Sequence, residues 1–324
     1  MLARIAHELY WVGRSLSRAE HTARLLDGVF HADLQGRAAD AGSTRLSWEA
    51  LLAIMGADRG SGEASMPARD EVISLLTLDP SDPASVLVCV TGAREGARRV
   101  RDVFSAEMWE AINTFHLGLL RRDMSAALRS GPYSLYAYVR ERCALFWGVT
   151  ARTMLRDEAR AFLEAGAAIE AGDMVLRMLR VALPTEEEAE PSEADPRDGQ
   201  AVALLQAMGG FQAFRRAIPA PPKASLVGSF LLYERAYPDS VAHSVDALHA
   251  ALTAADSSYR SSAPVLRLSR LMADLDFRSR SVEGAGPLAQ TLGPVQRELE
   301  LVDGDIALRY FGGASAPVAR LATA

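Results

Sequence analysis

Residues 11–27 read WVGRSLSRAEHTARLLD, a stretch that threads Arg14, Arg18 and Arg24 between small and apolar residues. Extended to the N-terminus, Leu2, Ile5, Leu9, Val12, Leu16, Ala19, Ala23 and Leu26 recur every three or four residues. That spacing lines one face of a 3.6-residue helix. It predicts a helix over 2–30, roughly 40 Å long at 1.5 Å rise per residue. Arg14, Arg18 and His21 follow i, i+4, i+7 on the opposite face, and Arg24 sits nearer the stripe's edge. Tyr10, Trp11 and Leu25 also lie off the stripe, so the helix is expected to be covered on two sides.

A similar stretch returns later. Gly13 with LSRAEHTARLL (16–26) aligns with Gly166 and IEAGDMVLRML (169–179), an offset of 153 residues. WEALLAIMG (48–56) aligns with AVALLQAMG (201–209) at the same offset, and DPASV (82–86) with YPDSV (237–241) at 155. Three anchors in one order at nearly one offset predict an internal duplication packed about a pseudo-twofold axis. The period is too long for a solenoid repeat.

Helical periodicity also runs through 84–110, 135–181 and 240–254, and Ser47 stands where an N-cap would precede WEALLAIM. Only SVLVCV (85–90) reads equally as a strand, and it leads into a helical pattern. The predicted class is therefore all-α, a helical bundle built from two pseudo-symmetric repeats with long helices. One domain spans 1–324, with repeats at about 1–150 and 151–311. Residues 31–46 and 57–69 read as loops and PAPP (219–222) as a stiff connector. PTEEEAEPSEADPRD (184–198) reads as an acidic mobile loop and 312–324 as a frayed tail.

Composition bounds the function. The chain has 324 residues, 49% of them hydrophobic, with mean hydropathy +0.02 and net charge −6. A pI near 5.6 argues against nucleic-acid binding through a general basic surface. No apolar run reaches the ~20 residues of a membrane span, and Arg4, His7 and Glu8 interrupt any signal-like start. Cys89 and Cys143 are the only cysteines and fit no ligand spacing. A cytoplasmic protein is expected.

The charged faces need an explanation. REGARRVRDVFSAEMWEAIN (94–113) reads as a third helix, with Ala93, Ala97, Val100, Phe104 and Met108 on one stripe and Arg94, Arg98, Arg101 and Ser105 beside it. In the second copy Glu170, Asp173 and Arg177 share a face. Solvated i, i+4 pairs would each contribute only ~0.2–0.5 kcal/mol. Arginines flanking apolar stripes on three helices instead suggest an interior polar network, in which a buried guanidinium requires a carboxylate. Glu95, Glu107, Glu170 and Asp173 are the candidates, with Trp109 and Arg177 as further members, and architecture is favoured over catalysis.

These residues resemble the bacterial Alpha-E family, an α-helical family named for a recurrent Glu-Arg pair. The resemblance rests on Tyr10-Trp11-x-Gly13-Arg14-x-Leu16-x-Arg18-Ala19-Glu20-x-Thr22-Ala23-Arg24-Leu25-Leu26-Asp27. It continues through Arg94-Glu95-x-Ala97-Arg98-x-Val100-Arg101, Ser105-x-Glu107-Met108-Trp109-Glu110, and the segments 153–179 and 229–248. Where the family has Glu-Arg, the first copy here has Ser17-Arg18 and the second Glu170-Ala171. If the pair is a structural tie, Arg18 and Glu170 meet across the pseudo-twofold; if it is catalytic, this chain is altered. Ala167 stands where the family commonly has Arg, and Pro238-Asp239-Ser240 where it has Pro-Arg-Ser.

The resemblance implies company with circularly permuted ATP-grasp ligases and transglutaminase-like peptidases, in systems that make or modify peptides or amides. The expected role is an accessory, non-catalytic partner of such a ligase. It would dock the ligase or hold a peptide or other anionic ligand at Arg14, Arg18, Arg24, Arg94, Arg98 and Arg101, because guanidinium groups suit carboxylates and phosphates. The alternative is an enzyme with Glu170 or Asp173 as general base and arginines stabilising an oxyanion. Against it, the sequence has no Gly-x-x-x-x-Gly-Lys loop, no Gly-x-Ser-x-Gly elbow and no His-Glu-x-x-His. No metal site and no cofactor is expected; a scaffold that forms homo-oligomers is a third reading.

Overall fold

The computed structural model describes residues 1–36, 46–57, 68–183, 196–280 and 288–313. Among them are fourteen α-helices, one short 3-10 turn and no strand. The first half contributes α1 (Ala3–Gly36), α2 (Trp48–Met55), α3 (Arg69–Leu78), α4 (Val86–Arg99), α5 (Ala106–Leu120), α6 (Met124–Ser130) and α7 (Tyr133–Thr153). The second contributes α8 (Glu158–Ala182), α9 (Pro196–Ala207), α10 (Phe211–Ala217), α11 (Ala224–Tyr233), α12 (Val241–Ala255), α13 (Ala263–Arg280) and α14 (Leu288–Tyr310).

Two helices organise the rest. α1 packs along α8, and the crossing is closest where two glycines face each other. A Cβ at Gly13 would lie 2.0 Å from the Leu163 carbonyl oxygen, and one at Gly166 would lie 1.9 Å from that of Tyr10. Only hydrogen fits at either point, so the backbones touch. α1 is further covered by α4, α7 and α9; α8 is covered by α12, α14 and α2. This burial on all sides places Tyr10 and Leu25 in the core beside the stripe of Leu9, Val12, Leu16, Ala19, Ala23 and Leu26. Outer layers follow as α4–α5–α7 and α12–α13–α14.

Helix ends follow from local chemistry. Ser47 Oγ accepts from the Ala50 amide at 3.0 Å, as the N-cap reading requires. Ser85 caps α4, so the ambiguous SVLVCV run is helix: Ser85 Oγ accepts from Val88 N and donates to the Asp79 carbonyl. The single helix expected over 94–113 is two. α4 stops at Arg99, Val100 leaves helical geometry, and Ser105 accepts from Met108 N to start α5. A capping serine in mid-pattern offers the backbone this alternative to a continuous helix.

Other boundaries shift as well. α1 continues through residues 31–36, which read as loop, while 37–45 and 58–67 lie outside the described residues. The expected acidic loop falls outside them at 184–195, but residues 196–198 open α9, where proline is tolerated because a first-turn N–H needs no partner. Gly312 and Gly313, with φ of 64° and 81°, turn the chain away from α14, and Gly313 N bonds the Ala307 carbonyl. The rest of the expected tail, 314–324, lies outside the described residues. No helix of the described residues is long and apolar enough to cross a membrane.

Candidate functional site

The polar centre of the molecule sits beside the α1–α8 crossing. Arg14 and Arg18, one turn apart on α1, both reach Glu170 on α8, whose side chain has no exposed surface. Arg14 Nε donates to Glu170 Oε2 at 2.9 Å and Arg18 Nε to Oε1 at 2.5 Å. Arg14 Nη1 also donates to Asp303 Oδ2 at 2.8 Å, and the Tyr10 hydroxyl donates to Asp303 Oδ1 at 2.6 Å. The Arg14 guanidinium lies 4.7 Å from the centre of the Trp11 ring. The result is a chain, Tyr10–Asp303–Arg14–Glu170–Arg18, in which three side chains of α1 tie α14 to α8.

Electrostatics fix its protonation. Burial disfavours the Glu170 carboxylate, but Arg18 and Arg14 outweigh it and hold the group below the usual carboxylate range. Burial likewise works against charge on Arg14, and Glu170, Tyr10 and Asp303 overcome it. Burial pushes the Tyr10 hydroxyl well above its ordinary value, with Arg14 opposing and Asp303 reinforcing. Near Arg18, burial pushes the Cys89 thiol up to about 12, and Cys143 is raised for the same reason. Both thiols stay protonated and are poor nucleophiles.

A second group flanks the crossing on the α9 side. Arg24 donates from Nε and Nη2 to Glu20 Oε1 and points at the C-terminal turn of α9, where a Cβ on Gly209 (φ 71°) would lie 3.3 Å from Nη1. Arg177 is bound to Asp173 at 2.7 Å and points at Gly56 (φ 68°), which ends α2. Each arginine thus meets the negative end of a short helix.

Ser17, His21 and Asp239 resemble a Ser-His-Asp triad, with Asp239 Oδ1 3.8 Å from His21 Nε2. The geometry denies the chemistry. His21 Nδ1 lies 2.8 Å from the Ser17 carbonyl oxygen, which can only accept, so Nδ1 carries the proton and cannot take one from Ser17 Oγ at 3.4 Å.

The six arginines singled out in the sequence do not converge. Arg14 and Arg18 bind Glu170, Arg24 binds Glu20, and Arg94, Arg98 and Arg101 belong to the outer α4–α5 layer. There Arg94 Nη1 and Arg98 Nε bind the two oxygens of Glu95, and Arg94 Nε binds Asn113 Oδ1. Arg94 and Arg101 flank the Trp109 ring at 5.7 and 5.5 Å. Arg101 is not helical but bonds the Phe104 carbonyl in the α4–α5 turn, and Glu107 is exposed in the first turn of α5. Of the candidate bases, Glu170 has both oxygens occupied and Asp173 is bound by Arg177. Asp303 and the Tyr10 hydroxyl escaped sequence reasoning. The available signal was an aspartate beside the α14 stripe Leu292, Val295, Leu299, Val302 and Ile306, all of them buried.

The Alpha-E family model, described as "a predicted alpha-helical domain with a conserved ER motif", matches residues 1–311. Uncharacterised proteins of Mycobacterium bovis and Mycobacterium tuberculosis are 26% identical to this chain over 294 residues, 86% of its length. The chain spans about a third of those curated relatives, 32% of each. No solved structure matches significantly.

Proposed function

Because the chain belongs to the Alpha-E family over residues 1–311, we propose that it is a non-catalytic helical partner of an ATP-dependent peptide or amide ligase of the ATP-grasp type. It docks the ligase or holds an anionic substrate for it. The observation that carries the non-catalytic part is the state of Glu170: buried, ionised, and bonded at both oxygens by Arg14 and Arg18. A general base needs a lone pair within reach of substrate and an affinity for its proton, and Glu170, with no exposed surface and held ionised by two guanidinium groups, offers neither. Its partner is chosen on the family resemblance. The relatives support work beside other modules, since most of each lies outside the matched segment. Arg98, held through Nε by Glu95 but 59% exposed, keeps an outer face that a carboxylate-bearing partner can reach.

We also propose that the two halves, about 1–150 and 151–311, arose by duplication. Support comes from reciprocity at the offset of 153: Gly13 against Leu163 and Gly166 against Tyr10, Arg24 at Gly209 and Arg177 at Gly56. Within this arrangement Arg18 and Glu170 are the surviving halves of two Glu-Arg pairs, the other places being Ser17 and Ala171.

The test is affinity purification of tagged protein from its native host at low and moderate salt, read by mass spectrometry. Stoichiometric recovery of an ATP-grasp ligase is expected. Recovery of the protein alone would overturn the accessory reading.

A further inference from the structure

If this protein holds an anionic substrate, Arg14 is a poor receptor, because its guanidinium is already bound to Glu170 and Asp303. Unspent charge lies elsewhere. α13 and α14 open between them a cavity of about 300 Å3, the lower end of the ~300–1,000 Å3 range of ligand clefts. Its floor is apolar, with Leu271, Leu275 and Val295 all buried. Its rim is charged: Arg270 and Asp274, one turn apart on α13, stand with Arg297 on α14. Among the described residues none of these three is engaged in an ion pair. The other lining carboxylate, Glu298, is bound by Arg267 at 3.3 Å.

We propose that this cavity binds a short acidic peptide, with carboxylates on Arg270 and Arg297, the ammonium on Asp274, and an apolar side chain on the leucine floor. The charges argue for that class. The three rim groups without an ion-pair partner among the described residues, Arg270 and Arg297 against Asp274, leave one excess positive charge. A dipeptide with one acidic residue carries one excess negative charge while presenting both signs. The planar guanidinium takes a carboxylate through two parallel donors, and a partly enclosed site screens such pairs less than open solvent does. The inference deepens the substrate-holding part of the proposed function and rests on it.

Isothermal titration of the full chain with the dipeptide leucyl-glutamate tests the site. Saturable one-to-one binding is expected. Arg270→Ala, Arg297→Ala and Asp274→Asn should each weaken it about tenfold or more, the loss of one charge-assisted hydrogen bond. Arg129→Ala, exposed at the end of α6 in the first half and outside the cavity lining, should leave it unchanged. N-acetyl-leucyl-glutamate, lacking the ammonium, should bind wild-type protein about tenfold more weakly; this comparison needs no variant to fold. Absence of saturable binding, equal affinity in the rim variants, or equal affinity of the acetylated peptide would each overturn the proposal. The titration contains no ligase, so its failure removes this cavity and leaves ligase docking to the purification. Failure of the purification leaves a positive titration standing.

Discussion

At the scale of single residues, Glu170 decides most. It is a carboxylate with no exposed surface, and its charge is tolerable only because two guanidinium groups replace water around it. Glu170→Gln leaves Arg14 and Arg18 sharing a buried site without their counter-charge and should cost about 3–5 kcal/mol, measured by urea unfolding. The pH dependence has a definite sign. Because the folded-state pKa lies below the unfolded one, this contribution is full above the unfolded value of ~4.3. It is lost as pH falls from there through the folded value. Wild-type stability should therefore decline in that acid window, and the Glu170→Gln protein should lack this component of the decline. Parallel acid slopes in the two proteins would contradict the assignment. The Arg18–Glu170 meeting was legible in the sequence, since an offset of 153 sets position 17 against 170 and each half keeps one member of a pair. Asp303 was not, because nothing in LVDGDIALRY states that α14 returns to Tyr10 and Arg14.

At the scale of elements, the α1–α8 contact depends on two missing side chains. Gly13→Ala or Gly166→Ala places a methyl group within 2.0 Å and 1.9 Å, respectively, of a backbone oxygen. Backbone in the middle of two long helices cannot step aside as a side chain does. Each substitution should cost about 3 kcal/mol or more, the upper end for overpacking, with similar size at both positions. A thermal melt within a degree or two of wild type for either would show that the helices are not in contact there. The helices themselves were legible from apolar spacing. The α4–α5 break was less so, because Val100, Phe104 and Met108 continue the stripe across it. The serine cap at 105, a local competition for backbone bonds, interrupts what periodicity extends.

At the scale of the whole molecule, the duplication makes a prediction that no single contact does. If the halves are equivalent, Ser17 and Ala171 mark an emptied second pair. Ser17→Glu alone should destabilise strongly by burying an unmatched carboxylate. Adding Ala171→Arg should recover part of the loss, with a favourable interaction energy of about 1–3 kcal/mol in a double-mutant cycle. Strict additivity of the two substitutions would count against equivalence of the sites.

Periodicity, caps and the spacing of glycines and arginines along the chain determined an all-α protein with its two principal helices and their charged faces. These are local or one-dimensional properties, written wherever side chains recur at the pitch of a helix. Which charges are spent and which remain available was decided only in three dimensions. Arg14 and Arg18, prominent in sequence, are consumed by Glu170 and Asp303, while Arg270 and Arg297, inconspicuous in sequence, have no ion-pair partner among the described residues and rim an apolar floor. A charge acquires its role from the partner that packing brings within hydrogen-bond reach, and that distance is a property of the fold.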